Sequence, residues 1–184
     1  MNRIWIVGSG GAGKSTLASA VAARLGLPHT ELDSLYWRPS WQPAEIEAFR
    51  AAVTSLVAQP RWVICGSYSK ASDLVLARAD TVIWLDYPLV LIWWRLLKRT
   101  LRRAVTREDL WGSGNRESWR NAFFSRDSLL LYVLQTHRRR TATFARLMSS
   151  ADYPNLTWLR FASPRDADAW LAGLSSCRDG QERL

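Results

Sequence analysis

The chain has 184 residues, 48% of them hydrophobic and 22% charged, and carries a formal net charge of +9. That length suits one domain around one sizeable core, and the composition excludes disordered and fibrous classes. No window approaches the roughly 18 apolar residues that a membrane span needs, no secretory signal precedes the first apolar run, and two cysteines, Cys65 and Cys177, make neither a disulfide framework nor a metal-ligand cluster. The expected setting is therefore the cytoplasm.

In chain order, Arg3 to Val7 reads as a short apolar strand, and Lys14 to Leu25 as a helix stopped by Gly26. His29 to Asp33 is a second strand, Pro43 to Ala58 a helix, and Trp62 to Cys65 a third strand ending at Gly66-Ser67. Lys70 to Arg78 is a short helix, Thr81 to Asp86 a fourth strand closed by Pro88, and Leu89 to about Arg103 a helix. A polar stretch, Thr106 to Arg120, follows, then a long helix over Ser125 to Ser149, a fifth strand over Leu156 to Phe161 and a last helix over Pro164 to Leu174. Alternating strands and helices imply right-handed crossovers and a mostly parallel sheet covered on both faces. Ligands in such folds sit at the carboxyl ends of the strands, which is where the polar signals cluster. Of the eleven tryptophans, Trp5, Trp62, Trp84, Trp158 and Trp170 fall at strand or apolar helix positions and are expected in the core.

The sharpest signal is Gly8-Ser9-Gly10-Gly11-Ala12-Gly13-Lys14-Ser15-Thr16. It fits G-x-x-x-x-G-K-[ST] without a gap, between an apolar strand and a helix. Glycines let backbone N–H groups turn inward into a concave anion site, and the helix adds its positive end. Lys14 is expected to reach the β- and γ-phosphates of ATP, and the Ser15 hydroxyl to meet Mg²⁺.

Asp33, expected to close strand two in ELDSLYW, could orient or deprotonate an acceptor hydroxyl or bind a metal water; it could equally be a turn or cap aspartate. Asp86 reads as turn and cap. Arg95, Lys98, Arg99 and Arg102 form one helical stripe leading to Arg103, Arg107, Arg116 and Arg120. They make either a solvated face or a mobile cover that excludes water and neutralises developing charge. Of Arg138-Arg139-Arg140, at most two can point at the site, since neighbours are about 100° apart; His137 receives no role. Tyr36, Trp37 and Trp41 could stack on a flat acceptor or pack their own segment down.

This layout resembles the adenylate kinase-like P-loop kinases and, within them, the bacterial topology-modulation (FlaR-type) P-loop proteins. The residues that carry it are GSGGAGKST from Gly8, ELDSLYWRPSW from Glu31, VICGSYS from Val63, RADTVIWLDYP from Arg78 and REDLWGSGNRES from Arg107. The resemblance implies a three-layer α/β fold of nucleoside-monophosphate-kinase type in one domain, 1–184. Its five-stranded parallel sheet would run in the order 2-3-1-4-5. It also implies an acceptor-binding segment at 34–60 and a lid at 104–122, with Arg99, Arg103 and Arg107 matching by position the arginines that clamp phosphates. The loop from Ala162 to Pro164 would lie near the donor adenine. Where relatives carry an aspartate before the strand-three glycine, this chain has Cys65, and a thiol is a poor partner for a hard cation.

The sequence therefore points to an enzyme, a kinase-like phosphotransferase using ATP and Mg²⁺. Lys14, Asp33, Arg99, Arg103 and Arg107 are its candidate catalytic residues. Asp33, Tyr36, Trp37, Gly66 and Tyr68 are candidate contacts to a small acceptor, such as a nucleoside or nucleotide. A nucleic-acid-associated P-loop ATPase, favoured by the charge, and a nucleotide-sensing module, suggested by Cys65, are the competing readings. The expected assembly is a monomer or dimer with no membrane partner.

Overall fold

The structure is a computed structural model that describes residues 1–106, 109–110, 115–116 and 129–174. Its centre is a five-stranded parallel sheet of β1 (Arg3–Gly8), β2 (His29–Glu31), β5 (Trp62–Cys65), β6 (Thr81–Leu85) and β9 (Thr157–Phe161), in the spatial order β2-β5-β1-β6-β9. Counted among these strands alone, that order is second, third, first, fourth, fifth. It differs from the plain expectation through two additional antiparallel ribbons. One pairs β3 (Trp37–Arg38) with β4 (Gln42–Pro43), and the other pairs β7 (Asp109–Leu110) with β8 (Asn115–Arg116).

The alternation of strand side chains sorts the core into two layers. Ile4, Ile6, Val63, Cys65, Ile83 and Leu85 face α1 (Lys14–Leu25), α5 (Leu89–Thr106) and α7 (Pro164–Gly173). Trp5, Val7, Trp62, Ile64, Val82 and Trp84 face α3 (Ile46–Val57), α4 (Ser72–Leu76) and Phe144 of α6 (Leu129–Met148). Trp5, Trp62 and Trp84 are buried as expected, while Trp158 and Trp170 are half-buried at the margins of the two layers.

Three local readings need correction. Strand β2 stops at Glu31, and Leu32–Tyr36 forms α2, so Asp33 lies in the first turn of a helix rather than at a strand end. The cause is the apolar pair Leu32 and Leu35 at helical spacing, with Leu32 fully buried. Pro43 does not open α3; it pairs with Trp37 in the first ribbon, and the helix begins at Ile46. Helix α5 runs to Thr106, beyond Arg103.

Gly66, just past β5, shows why the strand-three turn needs glycine. Its φ is +127°, and an added Cβ would lie 2.9 Å from the Leu32 Cβ. The turn that carries Ser67 and Tyr68 can therefore pass directly against α2, and the buried Trp5 indole donates to its carbonyl at 2.9 Å.

Candidate phosphate and acceptor site

The segment between β1 and α1 turns sharply around the N-terminus of the helix. Gly11 has φ +84°, and a Cβ there would sit 2.9 Å from the Ile92 carbonyl oxygen and 3.0 Å from the Leu96 Cβ. The loop is thus seated on α5 through bare backbone. Helix α1 has no side-chain cap hydrogen bond at Gly13 and no acid in its first turn, so its N–H groups and positive dipole end are left for an anion.

Lys14 folds back over the loop and donates to the Ser9 carbonyl at 3.0 Å. Burial pushes its pKa below the ordinary lysine value; Asp33 opposes that shift, and Arg140 and Arg99 add to it. A lysine so placed holds its charge at a cost that a bound phosphate would offset. Arg99 from α5 and Arg140 from α6 thus lie within electrostatic reach of Lys14, and Arg140 also donates to the Tyr132 hydroxyl at 2.9 Å. Arg95, one turn before Arg99, places its Nη1 3.8 Å from a Cβ built at Gly13 and its guanidinium 5.9 Å from the Tyr87 ring centroid. Lys98 instead lies over Trp94 at 5.1 Å, which divides the stripe between two faces. The side chain of Arg103, and all of Arg107, lie outside the described residues, as does most of the expected lid at 104–122.

Helix α6 supplies a residue to which the sequence assigned no role. His137 Nδ1 is 2.9 Å from the Ser9 hydroxyl. The signal was available in the spacing: Val133, His137, Arg140, Thr141 and Phe144 fall on one helical face, and Val133 and Phe144 are buried. The same face admits Arg140 and leaves Arg138 and Arg139 exposed. Asp86 also does more than cap a turn. It accepts from Arg160 Nε and Nη2 at 2.9 and 2.6 Å and from Thr141 at 3.4 Å, tying β6, β9 and α6 together.

On the β2 side, the Tyr68 hydroxyl donates to Asp33 Oδ1 at 2.5 Å. Burial raises the Tyr68 pKa, and the neighbouring Asp33 charge raises it further. The Ser67 hydroxyl accepts from the Gly8 N–H and donates to the Gly8 carbonyl, at 3.2 Å each, which fixes the strand-three turn to the start of the glycine loop. Tyr36 packs on Tyr68, Phe49 and Trp37, with ring centroids 4.7, 5.2 and 5.1 Å away. These rings pack on one another, and Trp37 also packs on Trp41 at 5.8 Å.

A cleft of about 310 Å³ opens on the other side of the loop, lined by Ala12, Gly13, Thr16, Tyr87, Arg95 and Pro164 among others. Its far wall is held by a reciprocal cap. Ser163 Oγ accepts from the Asp166 N–H at 3.3 Å, and Asp166 Oδ2 accepts from the Ser163 N–H at 3.1 Å.

The donor set for Mg²⁺ is thin. Ser15 is exposed at the mouth of the loop. Its hydroxyl lies 3.9 Å from Cys65 Sγ, a thiol that burial pushes up to about 12. A neutral thiol offers nothing to a hard cation, so the residues that fit Mg²⁺ are Ser15 and, through water, Asp33.

No protein-family model matches this chain, and no curated protein matches it. Solved structures do. An unliganded sugar kinase from Janibacter sp. HTCC2649 is 18% identical at a TM-score of 0.53, with 95% of this chain and 94% of that one covered. Shikimate kinase from Bacteroides thetaiotaomicron is 14% identical at a TM-score of 0.56, covering 94% and 96%. A gluconokinase from Sinorhizobium meliloti 1021 is 18% identical at a TM-score of 0.50, covering 100% and 98%. At these identities the likeness establishes the fold alone, an α/β architecture with a five-stranded parallel sheet shared with these three proteins. None of the three is a topology-modulation protein, so that finer resemblance gains no support from them. No helix among the described residues is long and apolar enough to cross a membrane.

Proposed function

We propose that this chain is an ATP-dependent phosphotransferase acting on a small hydroxyl compound. The observation that carries the reading is Lys14. It is a lysine with a burial-lowered pKa, bonded to a backbone carbonyl and within electrostatic reach of Arg99 and Arg140. Positive charge concentrated on an open helix N-terminus suits a polyphosphate whose charge shifts during transfer.

In this reading the donor base enters the cleft between Arg95, Tyr87 and Pro164, and the phosphates lie along Gly8 to Thr16. Ser15 would hold the Mg²⁺ that accompanies ATP, which would supply neutralisation of phosphate charge. Asp33, fixed by Tyr68, accepts a hydrogen bond from the acceptor hydroxyl and serves as its base. Arg99 and Arg140 stabilise the transferring group. Arg103 and Arg107, with the 104–122 segment as a lid, are proposed to complete the enclosure.

The packing of Tyr36 on its neighbours favours an aliphatic hydroxyl acceptor over a stacked base. The proteins named for sugar, shikimate and gluconate kinase activity share this fold, which supports the same choice. Arg95 beside Gly13, with Arg99 and Arg140 within electrostatic reach of Lys14, gives part of the basic charge a local purpose and weakens the nucleic-acid reading. The test is ADP formation by purified protein against sugars, sugar acids, hydroxy acids, nucleosides and nucleotides, with DNA and RNA controls. Acceptor-dependent turnover that vanishes in Lys14→Ala supports the reading. Salt-sensitive nucleic-acid binding with no acceptor stimulation contradicts it.

A further inference from the structure

The thiol that is wrong for magnesium stands in a different constellation. Strands β2 and β5 pair in parallel, with Glu31 beside Cys65 and His29 beside Val63. Alternate residues share a sheet face, so His29, Glu31 and Cys65 all project toward α1. One donor atom from each of the three lies within 4.8 Å of the others. Sequence spacing gave no sign of this grouping, because parallel pairing, not chain proximity, assembles it.

We infer that His29, Glu31 and Cys65 form a site for a borderline-soft divalent cation of the zinc class. Two features argue for it. Thiolate, imidazole and carboxylate together are a donor set that selects Zn²⁺ or Co²⁺ over Mg²⁺ or Ca²⁺. The His29 Nε2 is buried and has no hydrogen-bond partner among the described residues, which is an unmet need that a metal would meet. Ligand atoms around tetrahedral zinc stand about 3.5 Å apart, so the donors close by roughly 1 Å on binding, within the reach of side-chain rotation. Three protein ligands leave a fourth position for water, and the Ser15 hydroxyl, 3.9 Å from Cys65 Sγ, borders it. Binding forms a metal–sulfur bond and releases the thiol proton to solvent, with no change of oxidation state.

The site stands or falls independently of phosphoryl transfer, because it is tested without nucleotide. The full-length protein, freed of metal with a chelator, is titrated with Co²⁺ while thiolate-to-cobalt charge-transfer absorption is followed, and Zn²⁺ is then added in competition. The expected result is one equivalent of Co²⁺ with a strong charge-transfer band, displaced by Zn²⁺. Cys65→Ser should abolish the band, and Cys177→Ser should leave it intact. His29→Gln should weaken binding more than about tenfold, since even groups that merely support ligands cost that much. The inference is overturned if the wild type shows no band, if the band follows Cys177 rather than Cys65, or if His29→Gln binds unchanged. Should Cys65→Ser fail to fold, the wild-type and Cys177→Ser titrations still decide the matter.

Discussion

Around Gly8 to Ser15 the chain turns bare backbone and long cations toward one point, whereas around Asp33 and Tyr68 aromatic rings fill the space between α2 and α3. The first region recognises charge. Its parts are N–H groups, Lys14, Arg99 and Arg140, and none of them needs a particular shape of ligand beyond phosphate. The second recognises form. Asp33 is held by one phenol, and that phenol is held by Tyr36 and Phe49 at 4.7 and 5.4 Å. A fault in the charged region should therefore abolish the reaction with every acceptor, as should loss of the base Asp33, while a fault in the rings that hold Asp33 should change which acceptor reacts.

The largest expected effect is in the charged region. Lys14→Ala should lower kcat/KM by more than about 100-fold with all acceptors alike, the range seen when one preorganised group at a developing charge is removed. Asp33→Asn should cost on the order of 100-fold in kcat with little change in the KM for ATP, as loss of a general base does. Tyr68→Phe should change the ranking of acceptors instead. Equal losses across acceptors for Tyr68→Phe and Lys14→Ala would erase the distinction between the regions.

The arginines of α6 sharpen it further. Arg140→Met should reduce turnover by about 10-fold or more, whereas Arg138→Met should leave it unchanged, because Arg140 lies within electrostatic reach of Lys14 and Arg138 is exposed. His137→Gln, which alters the contact to Ser9, is expected to raise the KM for ATP a few-fold, about 1 kcal/mol for one hydrogen bond, and steady-state kinetics at varied ATP would read it.

The smallest effect on activity should come from the opposite end of the sheet. Asp80 Oδ2 accepts from the N–H groups of Asn2 and Arg3 at 2.9 Å each, and its Oδ1 from Thr81 Oγ1 at 2.8 Å. Partial burial raises its pKa, but these donors outweigh burial and hold it below the usual carboxylate value. A depressed folded pKa contributes stability above the unfolded value and loses it as pH falls through the folded one. Asp80→Ala should thus cost about 1–3 kcal/mol near neutral pH, with the difference from wild type shrinking in acid, while kcat stays unchanged. Urea melts at several pH values would show it.

The same contrast explains what could be read from the sequence. The glycine loop was legible because backbone recognition demands fixed residue types at fixed spacing, and Gly8 through Ser15 supply all of them. The sheet was legible because strands such as TVIWL are apolar on both faces. Asp33 was placed at the right end of the sheet but on the wrong element, since Leu32 and Leu35 extend the helical pattern one turn earlier than the strand ending suggests. His137 and Arg140 were missed or left unresolved because they reach the loop through tertiary packing, anchored by Phe144 against Trp5 and Trp84 at 6.3 and 6.0 Å. The side-chain cluster of His29, Glu31 and Cys65 depends on strand register, which no local motif encodes.

The most direct test follows the γ-phosphoryl group itself. Protein is supplied with Mg²⁺ and ATP labelled at the γ-phosphorus, together with the acceptor that best stimulates ADP release, and the label is traced after turnover. The account predicts that it appears on a hydroxyl oxygen of the acceptor, and that Lys14→Ala transfers none. Label found only in inorganic phosphate, at a rate indifferent to the acceptor, would contradict it.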